Sequence, residues 1–316
     1  MTSFESRWRD MPVQPESPAF QRVDESHPLD FYLGRDASGE WILLLITNEQ
    51  PISAREYHAI HVISRLRGDG RWALLFRLVR PELEKIFALL CEDLVESSRT
   101  IPDTTHPATF VLARFARWQK LLERGHSGLL DEPAMRGLIG ELLFLEQQAI
   151  PSRGVREAVN GWVGPTGAER DFRFTEQECE VKTVHTGAHH VLISSAEQLD
   201  IADKTLDLFV VLLDSAEPGT YPEAFTPLSL VERLQDAIES DHVALELFEA
   251  RLMDAGFVAR EEYAERAYIF RQFRAFHVTE GFPSIRRSFL PAGIGKVIWE
   301  LELAAIVPYE FNPTPS

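Results

Sequence analysis

The stretch DFRFTEQECEVK, residues 171–182, reads as two short strands, DFRF and ECEVKTV, joined by a turn at 175–178. Glu180 and Lys182 lie two apart on one strand, so both side chains leave the same face while Val181 points the other way, toward a core. Asp171 opens the preceding strand. A hairpin turned at 175–178 carries the Glu180 and Lys182 end of the second strand back to Asp171. Two carboxylates and one ammonium then converge.

That trio suits metal-assisted hydrolysis of a phosphodiester. Hard oxygen ligands hold Mg²⁺ (or Mn²⁺), which keeps several waters and reaches a substrate phosphate. The bound cation polarises the phosphate and makes a coordinated water more acidic. A lysine beside it stabilises charge that develops as the bond breaks. A third acid, Glu141, falls in GLIGELLFL, residues 137–145. On a helix its neighbours at i−3 and i+4 are Leu138 and Leu145. A carboxylate in such an apolar stripe is costly unless a cation or metal compensates it. Gly137 and Gly140 allow that helix to approach another backbone closely. Taken singly, these residues also fit blander roles. Glu180 and Lys182 would suit a solvated pair on an edge strand, and Glu141 would suit a core partner for an arginine.

Working outward, LDLFVVLLD (206–214) reads as a strand buried on both faces. HHVLISS (189–195) reads as a third strand after the hairpin, with Ser194 or Ser195 placed to cap a short helix containing AEQL. NGWVGPTGAER (160–170) is loop-rich. Helices are expected over ATFVLARFARWQKLLERG (108–125), PAMRGLIGELLFLEQQ (133–148), PLSLVERLQDAIES (227–240) and HVALELFEARLMDAG (242–256), the last stopped by Gly256. YIFRQFRAFHV (268–278) and KVIWELELAAIV (296–307) read as strands. Toward the start, FYLGRDASGEWILLLI (31–46) reads as a hairpin, 74–79 as a strand, and PELEKIFALLCEDLVES (81–97) as a helix with Pro81 at its first position. The expected organisation is an N-terminal α+β domain over 1–105 and an α/β domain over 106–316, whose mixed sheet is flanked by helices and followed by a C-terminal elaboration.

Of the 316 residues, 45% are hydrophobic and 26% charged, the balance of an ordinary globular chain. Apolar runs such as 41–46 fall far short of the roughly 20 residues a helix needs to span a bilayer. MTSFESRWRD has no apolar stretch to act as a signal peptide, and the two cysteines, Cys91 and Cys179, suggest no disulfide framework. A cytoplasmic location and no membrane partner are expected. The net charge of −17 opposes nucleic-acid binding, because like charge slows encounter and weakens non-specific affinity. Between Arg266 and Lys296, however, six basic residues stand against one acid, Glu280. An acidic body with one basic strip fits a protein that meets DNA at one place or with a partner's help. Arg271, Arg274, Arg286 and Arg287 are its candidate phosphate contacts, though YIFRQFRAFHV equally fits a core strand with exposed arginines.

The order of a helix Glu, then Asp, then Glu-X-Lys resembles the PD-(D/E)XK nuclease superfamily. More narrowly, GLIGELLFLEQ, GWVGP, DFRF, EVKT, HVLISSAEQL and FPSIRRSFLPAGIGKVIWEL resemble a bacterial PD-(D/E)XK family found in restriction and phage-defence gene neighbourhoods. The resemblance implies a restriction-endonuclease-like core and a Mg²⁺- or Mn²⁺-dependent endonuclease acting on DNA beside other proteins of a defence operon. It implies Asp171 and Glu180 as metal ligands, Lys182 as the catalytic lysine, Glu141 as the auxiliary helix acid and Gln198 as a polar residue facing the substrate. It leaves a homodimer open. Arg170 stands where the motif's name has Pro.

Other motifs carry less. His185, His189 and His190 are poorly spaced for zinc. GPTGAER lacks the Lys-Ser/Thr of a phosphate loop, and Ser194 and Ser195 lack nucleophile-elbow glycines. Two other functional classes fit the acidity: a non-catalytic nucleic-acid-binding or scaffolding subunit that keeps the fold, and an acidic DNA mimic that occupies a partner's groove.

Overall fold

A computed structural model describes residues 3–13, 19–51, 59–99, 106–123, 129–201 and 204–313, with side chains withheld over 120–123. The chain forms two compact units, Met1–Ser127 and Gly128–Ser316.

In the first unit, helix α1 (Phe4–Asp10) precedes strands β1 (Ala19–Arg22), β2 (Asp30–Arg35), β3 (Trp41–Thr47), β4 (Ile60–Leu66) and β5 (Trp72–Leu78), then helices α2 (Glu84–Ser97) and α3 (Pro107–Glu123). The strands form one antiparallel sheet in the order β1-β2-β3-β5-β4. The expected 31–46 hairpin is β2–β3. Trp8 of α1 stacks on Trp41 at 5.0 Å, and its indole N–H donates to the Gly34 carbonyl at 3.0 Å. Local pattern did not mark α1, β1 or β4, which hold their places through such distant contacts.

The second unit opens with α4 (Glu132–Phe144), capped by the Asp131 side chain and begun by Pro133. A π-helical turn (Leu145–Ala149) and α5 (Ile150–Arg153) extend it until Gly154, at φ 79°, ends the run. Then come α6 (Val155–Gly161), β6 (Phe172–Arg173), β7 (Gln177–Val184), β8 (His190–Ile193), β9 (Thr205–Ala216), α7 (Pro227–Ile238), α8 (His242–Asp254), β10 (Ala267–Val278), β11 (Trp299–Glu302), α9 (Leu303–Ile306) and β12 (Glu310–Phe311). The main sheet runs β12-β10-β9-β7-β6, with β7 and β9 parallel and the other pairs antiparallel.

The strand β9 separates two cores. Phe209, Val211 and Leu213 join Cys179 and Val181 of β7 in a cluster with α4, α6, α7 and α8. Leu206, Leu208 and Val210 face the other way and pack with Val191 and Ile193 of β8, Leu301 of β11, and Phe276. The expected burial on both faces is met. The expected strand over 189–195 forms as β8, outside the main sheet, where it pairs antiparallel with β11 as a separate two-stranded layer. One expectation is corrected. KVIWELELAAIV is not strand throughout: β11 ends at Glu302, and α9 turns Leu303 and Ile306 into the second core.

Candidate active site

The hairpin β6–β7 builds the site. Phe172 lies opposite Cys179 and Arg173 opposite Glu178, so one further step of the same register sets Asp171 beside Glu180. The turn is closed by Phe174 N–H donating to the Gln177 carbonyl at 2.8 Å. Asp171 is held on both sides. Its carbonyl accepts from the N–H groups of Val163 and Gly164, each at 2.9 Å, and its Oδ2 accepts from Val181 N–H at 2.8 Å.

Glu180 and Lys182 leave β7 on the face of Leu208 and Val210, as the spacing predicts. The Glu180 side chain is 1% exposed, and Lys182 Nζ lies 2.7 Å from its Oε1. That contact is a charge-assisted pair to Oε1, whereas among the described residues Glu180 Oε2 finds no hydrogen-bond donor. Lys182 Nζ donates to Gln198 Oε1 at 3.1 Å, and that same oxygen accepts from Ser194 N–H at 2.8 Å. Gln198 sits on a 3-10 turn, Ala196–Leu199, whose expected serine cap does not form. The Gln198 side chain folds back onto the Ser194 amide instead, and so positions Lys182.

Helix α4 brings Glu141 to the same place. Gly140 has no side chain because a methyl there would run into Thr183 Oγ1 of β7. The helix therefore lies against the strand, and Glu141, next along it, reaches the carboxylates. Its Oε2 accepts from the indole N–H of Trp162 at 2.7 Å. Gly164 lies between the acids: a Cβ there would stand 2.9 Å from Asp171 Oδ1 and 3.2 Å from Glu141 Oε2. The loop Trp162–Gly164 thus holds Glu141 and Asp171 while leaving free space beside their oxygens.

These carboxylates resist ionisation. Desolvation, reinforced by the charge of Asp171, pushes Glu180 up to about 8 against the opposing pull of Lys182. Desolvation and the Asp171 charge also raise Glu141 well above the usual carboxylate range, although the Trp162 N–H opposes the rise. Desolvation raises Asp171 too, moderated by Lys182 and the Val181 amide. Three acids crowded into low dielectric with one lysine amount to an excess of negative charge. A divalent cation is the ion that would relieve it.

The donor set fits Mg²⁺ or Mn²⁺ on this chain's own evidence. Glu180 offers a buried Oε2 with no hydrogen-bond donor among the described residues, and Gly164 leaves open the space that a Cβ would fill beside Asp171 and Glu141. Among the described residues, no three His, Cys, Asp or Glu side chains form a ready-made cage. Mg²⁺ does not need one, since one or two carboxylates with waters and substrate phosphates complete its shell.

The sequence pattern assigns no role to Arg170, Trp162 or Gly164. Trp162 and Gly164 lie in the GWVGP stretch, where the excess of glycine over a short loop was the available signal. Arg170 is buried, donates to the Asp200 carbonyl at 2.6 Å and sits 3.6 Å from Glu178 Oε2. Its positive charge draws down the pKa of both Asp171 and Glu180.

The expected phosphate contacts divide. Arg271 pairs with Asp214 at 3.0 Å, and Arg274 makes a two-pronged pair with Glu310 at 2.8 Å. Arg274 shares a row with Lys182 across Val210, about 10 Å away by strand spacing, but its charge is already matched. Arg286 and Arg287 lie in the segment before β11. His185, His189 and His190 are exposed.

A helix carrying one acid, a following hairpin carrying Asp and Glu-X-Lys, and a mixed sheet between helices define a nuclease-like, restriction-endonuclease-like core. The chain belongs to the family described as "Putative PD-(D/E)XK family member, (DUF4420)", whose model matches residues 4–304. Among curated proteins and among solved structures, nothing matches it. No helix among the described residues is long and apolar enough to cross a membrane.

Proposed function

We propose that this chain is a Mg²⁺-dependent DNA endonuclease of a bacterial restriction or phage-defence system, working within a multi-protein assembly. One observation carries the chemistry: a buried Glu180 set beside Asp171, with Lys182 on one oxygen and, among the described residues, no hydrogen-bond donor on the other. A purely structural acid at this depth would be satisfied by donors.

Asp171 and Glu180 would hold the cation, with Glu141 beside them. Bound there, it would polarise the scissile phosphate and make a coordinated water a better nucleophile. Lys182 Nζ has three N–H donors. One faces Glu180 Oε1 and one is taken by Gln198, which leaves the third for the attacking water or a phosphate oxygen. Gln198 fixes the direction of that donor. Trp162 fixes Glu141, so its carboxylate stays beside the phosphate-facing space instead of rotating onto the helix.

The assembly and the defence setting rest on the family resemblance and on the net charge of −17, which makes a poor solitary DNA binder. That same charge favours a second reading, a scaffolding subunit that keeps the fold without cutting. Calorimetric titration with Mg²⁺ and Mn²⁺ separates them. The nuclease reading expects binding that disappears in Asp171→Ala, and cleavage of plasmid DNA by the chain with its operon partners that disappears in Lys182→Ala. No metal binding by the folded wild-type protein would overturn it.

A further inference from the structure

The segment 282–298 does not behave as a connecting loop. It is ordered by its own bonds: Arg287 Nη1 donates to the carbonyls of Ile294 and Gly295 at 2.8 and 2.7 Å. Phe289 N–H and Leu290 N–H close a turn onto Arg286 and Arg287, and Ile294 N–H closes another onto Pro291. Gly293, at φ 93°, makes the reversal between them. Within it Phe289 is 75% exposed, with Ile294 at 39% and Ile298 at 53%. Phe289, Ile294 and Ile298 leave apolar area of one short segment in water, which a bound partner would cover.

The charge of the same segment states the partner's sign. Among the described residues Arg286 and Lys296 form no ion pair, unlike Arg271 and Arg274, whose charges are matched by acids. Arg287 serves as the clip. On a chain of net charge −17, two cations without an ion pair among the described residues, one on each side of the exposed ring in sequence, fit a polyanion that has flat apolar faces. The loop is also tied to the acid site. Arg287 N–H donates to Asp200 Oδ2 at 3.3 Å, the Asp200 carbonyl accepts from Arg170, and Arg170 adjoins Asp171.

We propose that the segment 282–298 is a stacking arm for unpaired bases of the nucleic acid cut at the neighbouring acid site, with Phe289 as the stacking ring and Arg286 and Lys296 on the phosphates. The choice of substrate rests on the nuclease reading; the arm's affinity for nucleic acid does not. Stacking of a base on an aromatic ring contributes sequence-tolerant affinity, and flanking cations track the backbone. An arm of this kind favours single-stranded, gapped or flapped DNA over blunt duplex.

The test uses the full chain carrying Lys182→Ala, with Mg²⁺ present, and compares a labelled single-stranded oligonucleotide with a blunt duplex of the same sequence. Phe289→Ala is expected to weaken single-strand binding by roughly 5- to 100-fold and the duplex much less. Phe289→Trp is expected to retain binding and to show fluorescence quenching by the single strand. Replacing Arg286 and Lys296 by Gln is expected to flatten the dependence of log K on log salt by about 1.4. Unchanged single-strand affinity in Phe289→Ala, equal losses on both substrates, or quenching by anionic vesicles in place of DNA would overturn the proposal. Failure here with Mg²⁺ binding intact removes the arm alone. Quenching without any Mg²⁺ binding removes the nuclease reading and leaves the arm.

Discussion

Two buried acids on neighbouring strands of one sheet, Asp207 and Glu180, face opposite ways and are treated differently. Asp207 pairs in register with Cys179 and lies on the helix-covered face. His277 Nδ1 bonds one of its oxygens at 2.7 Å, and Gln177 Nε2 donates to the other at 2.5 Å. Gln177 is held in turn by Arg153. Glu180, one position further along β7 and turned to the other face, has Lys182 on Oε1 and, among the described residues, no hydrogen-bond donor on Oε2. A carboxylate whose oxygens are satisfied behaves as structure. One that is buried and left unsatisfied stores electrostatic cost that a ligand can release. The difference locates the site without reference to any motif.

The sharpest way to break this comparison is through Lys182. Lys182→Ala is expected to lower DNA cleavage by about 10³-fold, the scale of removing an electrostatic stabiliser of the transition state. Circular dichroism and Mg²⁺ affinity should stay close to wild type. A variant that still cuts would move the chemistry elsewhere. On the other face, Asp207→Ala should leave cleavage per folded molecule unchanged but cost about 2 kcal/mol of stability in denaturant unfolding, because Gln177 and His277 lose a charged acceptor.

Trp162→Phe tests how far the site depends on support. It removes the N–H that holds Glu141 and keeps most of the packing. Mg²⁺ affinity is expected to fall about 10-fold, the low end for loss of a residue that orients a ligand set. A merely structural tryptophan would shift melting temperature and leave metal affinity alone.

The smallest effect concerns the metal-free protein and has a definite sign. Glu180 holds its proton up to about pH 8 in the folded state, whereas an unperturbed glutamate loses it near 4.5. The unfolded chain therefore releases that proton first. Stability from this group is complete below about 4.5, declines as pH rises, and is lost by about 8. Glu180→Gln should remove that decline and so raise the melting temperature at pH 8 relative to the wild type. Saturating Mg²⁺ should also abolish the decline in the wild type. Asp207→Asn should do neither, which keeps the two acids distinct.

Much of the second unit was legible because it is written in short-range pattern. The i, i+2 spacing of Glu180 and Lys182, a hairpin-sized gap back to Asp171 and the doubly buried run of β9 each need only local rules. Glu141 stood out because a carboxylate in an apolar stripe is locally anomalous. Less local features were hidden. The pairing of β8 with β11 joins residues more than a hundred positions apart, and nothing near His190 signals it. The neutralisation of Arg274 depends on Glu310, which lies on a different strand. The indole of Trp162 is equally plausible as core filling until the fold sets it against Glu141.

By itself the sequence determined which side chains leave the same face of β7, that a helix acid precedes the hairpin, and that charge is concentrated in one late segment. Those follow from backbone periodicity and from counting. Tertiary structure alone decided that both Asp207 oxygens are bonded while Glu180 Oε2 has no donor among the described residues, and that Gln198 aims Lys182. It alone decided that Arg271 and Arg274 are already paired while, among the described residues, Arg286 and Lys296 form no ion pair. Desolvation and hydrogen-bond satisfaction depend on which distant atoms surround a group, and that is set only when the sheet, its helices and the β8–β11 layer close around it.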